Sequence, residues 1–152
     1  VIDLDETDRA ILRALRADAA LSAGELGRRL GLSQPAAWRR IRRLTESGVI
    51  SGRRLVLDRE ALGFGVTVFL GVKLATKGRV SLDEFERAAS AIPEVQTIEH
   101  VLGLFDYRLK VVARDLADFE RVLRRRIMTL PGAGNVEANV MLSEERLPGP
   151  LG

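Results

Sequence analysis

The chain has no cysteine, a single histidine, one tryptophan, one tyrosine and only three lysines among its 152 residues. Without cysteine there is no disulfide and no thiolate metal site. With His100 as the lone imidazole, a metal centre would rest almost entirely on carboxylates, so no metal or other cofactor is expected. No apolar run approaches the roughly 18–20 residues that span a bilayer, so no membrane partner is expected. The opening residues lack the basic-then-apolar pattern of a signal peptide, and a cytoplasmic location is expected. The three lysines stand against 21 arginines; this reads as compositional bias and carries no function.

What is present is a polar-apolar balance suited to a folded domain, at 46% hydrophobic and 30% charged residues. The length allows one ordinary domain or two small ones. The formal net charge is only +3, but it is unevenly placed. Residues 1–60 carry 12 arginines and 9 acids, whereas residues 61–152 carry 12 basic and 12 acidic residues. Within 28–54 there are eight arginines and one acid, Glu46. So focused a cationic patch is the electrostatic footprint of a polyphosphate partner.

The patch falls on a pattern of short helices. Asp5 is placed to cap a helix running to about Ala17, with Ile11, Leu12 and Leu15 inward. Leu21, Ser22, Glu25 and Leu26 form a capping box with a hydrophobic staple, and Gly31 fits the left-handed stop of that second helix. Residues 33–48 read SQPAAWRRIRRLTESG. Ser33 caps this third helix, and Ala37, Ile41 and Leu44 form its apolar stripe at about 100° per residue. Arg39 and Arg43 are expected to point away from that stripe, with Arg40 and Arg42 flanking them. Trp38 is expected to pack with the core. Two helices, a glycine turn and an arginine-studded second helix form a helix-turn-helix suited to the major groove of double-stranded DNA.

The second half has a different rhythm. Residues 49–57 are expected to be extended, and 58–65 form a two-glycine connection holding the domain boundary. Val66–Leu74 and Tyr107–Ala113 alternate as strands, further strands start at Val95 and Val136, and two amphipathic helices follow similar openings at Ser81 and Asp115. The order is β-α-β-β-α-β, a ferredoxin-like split unit. Its helices cover one sheet face, so a second copy of the sheet is expected to cover the other and a homodimer follows. Arg124, Arg125 and Arg126 read as a solvated helix face. The fold class is α+β: a three-helix helix-turn-helix domain over 1–50, a linker over 51–65, a ferredoxin-like domain over 66–146 and a frayed tail over 147–152.

This arrangement resembles the Lrp/AsnC family of transcriptional regulators from about Leu4 to Glu145. The resemblance is carried by Leu4-Asp5, Asp8 and Ile11-Leu12; by Leu26, Gly31-Leu32-Ser33, Arg40, Arg43-Leu44 and Gly48-Val49-Ile50; and by Gly103-Leu104-Phe105-Asp106-Tyr107 and Leu130-Pro131-Gly132. It implies a RAM-type, ACT-like second domain, dimers that assemble into higher multiples such as an octamer, and regulation by a small amino acid bound between subunits. The family's effector loop matches 103–106. Leu102 and Ala138 stand where relatives often carry a hydroxyl residue, a departure that removes hydrogen-bonding groups from the expected pocket.

From these readings Gln34, Ala36, Arg39, Arg40 and Arg43 are the candidates to face base edges. Arg42, Arg53, Arg54 and the helix starts at Ser22 and Ser33 suit phosphates. The candidate effector set is His100, Leu102, Gly103, Leu104, Phe105, Asp106 and Ala138. Glycine lets backbone N–H groups approach a carboxylate, and Asp106 suits an ammonium; the competing reading makes Asp106 the cap of a tight hairpin. Two other functions compete with this reading. An architectural DNA-binding protein without effector would share the same recognition helix. An enzyme resembling the sirohaem decarboxylases is disfavoured by the solitary histidine.

Overall fold

The computed structural model describes residues 2–75, 78–145, 147 and 149. The chain divides into two compact units, residues 1–56 with 145–152, and residues 57–144. The division falls inside the expected 51–65 linker. Most of the expected tail, at 148 and 150–152, lies outside the described residues.

The first unit is three helices: α1 (Glu6–Ala17), α2 (Ala23–Leu30) and α3 (Gln34–Glu46). Their boundaries follow local chemistry. Asp5 accepts from the Asp8 N–H at 2.8 Å while the Asp8 carboxylate accepts from the Asp5 N–H at 3.2 Å, closing a reciprocal cap. Ser22 and Glu25 do the same for α2. Gly31 ends α2 at φ 68°, a left-handed conformation that glycine adopts without steric cost. Ile11, Leu12, Leu15, Leu21, Leu26, Ala37 and Leu44 form the unit's core. Gly27 lets α2 meet the turn, since a Cβ there would lie 2.6 Å from the Leu32 carbonyl oxygen.

Residues 51–58 are exposed and belong to no helix or strand, so the expected extended segment has no partner strand among the described residues. The turn after it is held by Asp58, whose side chain accepts from the Ala61 N–H at 3.1 Å.

The second unit is a four-stranded antiparallel sheet in the order β2-β3-β1-β4, formed by β1 (Val66–Leu74), β2 (Val95–His100), β3 (Tyr107–Ala113) and β4 (Ala133–Val140). The helices are α4 (Arg79–Ser90) and α5 (Leu116–Val122). Val68, Leu70, Val72 and Leu74 of β1 join Phe85, Ala89, Phe119, Val122 and Ile127 in one core. Thr67, Phe69, Gly71 and Lys73 therefore lie on the opposite sheet face. β4 begins three residues before the expected Val136. Gly134 allows this, because a Cβ there would stand 2.8 Å from the Lys73 carbonyl oxygen. α5 passes into a π-helical turn at Leu123–Ile127. Ile127 lies eight residues after Phe119, about 80° round an ideal α-helix from it; the wider turn brings it nearer the Phe119 side, and it is fully buried in the core. Arg124, Arg125 and Arg126 on this turn are exposed.

Candidate nucleic-acid interface and effector loop

The two helix starts offered for phosphate differ. At α2 the Glu25 carboxylate accepts from the Ser22 N–H at 2.8 Å and from its hydroxyl at 2.7 Å, and the backbone N–H bond to Ser22 holds the Glu25 pKa below its ordinary value. That N-terminus already carries its anion. At α3, Ser33 Oγ accepts from the Ala36 N–H at 3.3 Å, and the first turn contains no acid. Its positive dipole end is open to an external anion.

The arginines of α3 sort themselves by partner. Arg40 Nη1 lies 2.7 Å from Asp5 Oδ2 and 2.8 Å from Asp8 Oδ1. Arg43 Nη2 binds Asp8 Oδ2. Asp8 is wholly buried, so these two guanidinium groups neutralise a charge that could not stay buried alone. The Asp8 N–H, followed by Arg40, holds the Asp5 carboxyl below its ordinary pKa. The expectation that Arg43 points away from the packed side is thus corrected: a carboxylate pair at the start of α1 draws Arg40 and Arg43 to its side. Arg42 Nε pairs with Glu46 at 2.6 Å. Arg39 is exposed and, among the described residues, meets no carboxylate within 4 Å. Gln34 is exposed, Ala36 is half-buried, and Arg53 and Arg54 are exposed.

Trp38 is also corrected. Its side is 52% exposed rather than packed in the core, and the Arg42 guanidinium lies 5.3 Å from its ring centroid. Trp38 stands one residue past the apolar Ala37, about 100° round the helix, which turns it off the core stripe.

In the second unit, residues 101–106 join β2 to β3 as a broad loop rather than a tight hairpin. Asp106 anchors it to β1: its N–H donates to the Val72 carbonyl at 3.0 Å, and its Oδ2 accepts from the Leu74 N–H at 2.9 Å. Lys73 Nζ lies 3.5 Å from Asp106 Oδ1. Phe105 lays its ring against Gly71, where an added Cβ would come within 2.5 Å of it. Beside the loop are two clefts. One of ≈ 210 Å³ includes Phe69, Gly71, Gly103, Phe105, Arg108 and Asn139 in its walls. The other, ≈ 620 Å³, is lined by Lys73, Leu104, Phe105, Asn135, Val136 and Glu137.

The structure does not gather the whole candidate effector set. Ala138 pairs with Leu70, a core residue, and so lies on the helix-covered side of the sheet. His100 stacks on Tyr107 at 4.8 Å and opens onto a separate groove with Asp83 and Glu86. Tyr107 donates to Glu86 Oε1 at 2.5 Å; burial first, and this bond second, push its phenol pKa well up. Leu102 is fully exposed and lines neither loop cleft. The residues that sequence reading missed, Phe69, Gly71, Lys73, Arg108 and Asn139, occupy the alternate positions of strands. The signal for them was the same period of two that located the core.

A helix-turn-helix with an open, arginine-bearing recognition helix, followed by a sheet unit with a cleft-forming loop, defines a one-component DNA-binding regulator. Residues 4–51 match the family model described as winged helix-turn-helix DNA-binding, and residues 67–148 match the Lrp/AsnC ligand binding domain. The chain belongs to the Lrp/AsnC family of transcriptional regulators and not to a family of enzymes. It is 37% identical over 147 residues to the proline dehydrogenase transcriptional activator of Rhizobium radiobacter, covering 97% of this chain and 94% of that one. It is 32% identical to the leucine-responsive regulatory protein of Escherichia coli, over 93% and 87% of the two chains. Among solved structures, a Neisseria meningitidis transcriptional regulator in complex with L-Met superposes with a TM-score of 0.89 at 25% identity, over 95% and 94%. An AsnC family regulator from Agrobacterium tumefaciens gives 0.86 at 32%, over the same shares. DNA and a small-molecule effector are accordingly the partners of the two units.

Proposed function

We propose that this protein is a cytoplasmic homodimer, assembling further to multiples such as an octamer, that places two copies of α3 in successive major grooves of its operator. Arg39, with Gln34 and Ala36, reads base edges; Arg42, Arg53, Arg54 and the Ser33 helix start bind phosphates. Ser22 has the weaker claim, because Glu25 occupies its helix start. Arg40 and Arg43 face the duplex only in so far as Asp5 and Asp8 leave them free, and their first task is to fix α3 on α1. The carrying observation is the contrast on one helix between Arg39, which meets no carboxylate among the described residues, and Arg40 and Arg43, which are held. Arg39→Ala is expected to weaken specific binding by roughly 1–3 kcal/mol, read by anisotropy of a labelled duplex selected from a random pool. An unchanged affinity removes Arg39 from the reading set.

The effector is a small amino acid or a related metabolite held against the 101–106 loop. Supporting this are the L-Met complex of the Neisseria relative and the leucine response in the name of the E. coli relative. Gly103 has open space where a Cβ would stand, so its backbone can approach a carboxylate. Phe105 and Leu104 line the clefts against a ligand side chain. Calorimetry against the twenty amino acids tests the reading. The architectural alternative draws on the exposed, apolar Leu102 and on His100 and Ala138, neither of which lines either cleft; a flat response to every amino acid, with long cooperative DNA complexes, supports it.

A further inference from the structure

The exposed indole of Trp38 is unexplained by packing and unused by the arginine set. A large apolar ring left 52% open costs the fold burial that it could have had. On the α3 wheel, Pro35, Trp38, Arg39 and Arg42 fall within about 100° of one another, and all four are exposed. The opposite side of α3 is taken: Ala37 and Leu44 are in the core, and Arg40 and Arg43 turn to Asp5 and Asp8. The Arg42 guanidinium over the ring gives the apolar patch a cationic border, which suits a polyanion and repels a basic partner.

We infer that Trp38 is a specificity-determining residue of the DNA interface, packing its ring on thymine methyl groups in the major groove. This rests on the proposed seating of α3 in that groove and names the contact it makes there. Among base pairs only those with thymine present a methyl group in the major groove, so an apolar reader adds A·T selectivity that arginine cannot supply. The Arg42 guanidinium sits over the ring while paired with Glu46, and Trp38 is still 52% exposed in that arrangement.

The chain's single tryptophan makes the inference directly testable, because intrinsic emission reports Trp38 alone. The probe is a duplex selected from a random-sequence pool by the full-length protein, and the same duplex with deoxyuridine replacing thymine one position at a time. Binding is followed both by anisotropy of a label on the DNA and by tryptophan emission. The expected result is a change in emission that saturates with the anisotropy. One deoxyuridine position is then expected to weaken the wild type about fourfold, the worth of one buried methyl. Trp38→Ala should lose that discrimination while retaining its far-ultraviolet circular dichroism, and Trp38→Phe should keep part of it. Saturable binding with unchanged emission, or equal deoxyuridine penalties in wild type and Trp38→Ala, overturns the inference and leaves the DNA reading standing. Emission that depends on protein concentration and not on DNA overturns it in favour of contact with another copy. Failure to bind any duplex overturns the seating of α3 itself.

Discussion

Asp8 has no exposed surface, yet both its carboxylate oxygens meet guanidinium groups, one from Arg40 and one from Arg43. The same carboxylate accepts from the Asp5 N–H. One side chain thus terminates α1, neutralises itself and fixes the azimuth of α3. Arg40 and Arg43 keep 32% and 48% of their side-chain surface, so solvent screens part of the attraction. Asp8→Ala is expected to destabilise the helical unit by about 1.5–3 kcal/mol, the usual range for hydrogen bonds to a charged group. It also releases two cations beside the DNA strip. Non-specific duplex affinity should therefore rise while the ratio of specific to non-specific binding falls. Urea denaturation measures the first effect and competition with random duplex the second. A variant as stable as the wild type would show that the pair contributes nothing to the seating of α3.

At the level of elements, the loop between β2 and β3 owes its position to a glycine on another strand. Gly71 faces the side of the sheet away from the helices, and Phe105 fills the space that its missing side chain leaves. Gly71→Ala puts a Cβ into that ring. The sheet ladder is unaffected, so the cost is an overpacking penalty of roughly 1–3 kcal/mol and a shifted loop. Amide exchange at Val101 and Asp106, whose N–H groups donate to Asp106 and Val72, is expected to speed up while exchange at Leu70 stays slow. Equal protection in both proteins would mean that Phe105 finds another seat without moving the loop. This dependence marks where sequence reading ends. Caps and stops were legible because Asp5, Ser22, Gly31 and Ser33 act on their immediate neighbours. The β-α-β-β-α-β order was legible because alternation is local as well. The Asp8–Arg43 pairing spans 35 positions and the Gly71–Phe105 contact 34, and neither leaves a periodic trace. Trp38 was misjudged for a related reason: an apolar residue next to an apolar stripe reads as core until the neighbouring helices show which arc they cover.

For the whole molecule the decisive quantity is how many cations remain available to phosphate. The chain places its charge excess in the helical unit, with eight arginines and one acid over 28–54, and leaves residues 61–152 balanced. The structure then spends part of that excess internally, on Asp5, Asp8 and Glu46. Arg28, Arg29, Arg39, Arg53 and Arg54 are exposed and, among the described residues, meet no carboxylate within 4 Å. If a dimer engages about eight phosphates through Arg28, Arg29, Arg53, Arg54 and the two α3 starts, log K should fall with log salt at a slope of about −7. Raising salt from about 50 to 200 mM would then cost roughly 10³–10⁵ in affinity. Anisotropy titrations of one labelled duplex across that range give the slope directly. Arg53→Ala should flatten it by about 1 per engaged copy without altering base preference, whereas Arg39→Ala should lower the preference itself. A wild-type slope near −2 would mean that the exposed arginines of the linker and of α2 stay in solvent, and that α3 alone holds the duplex.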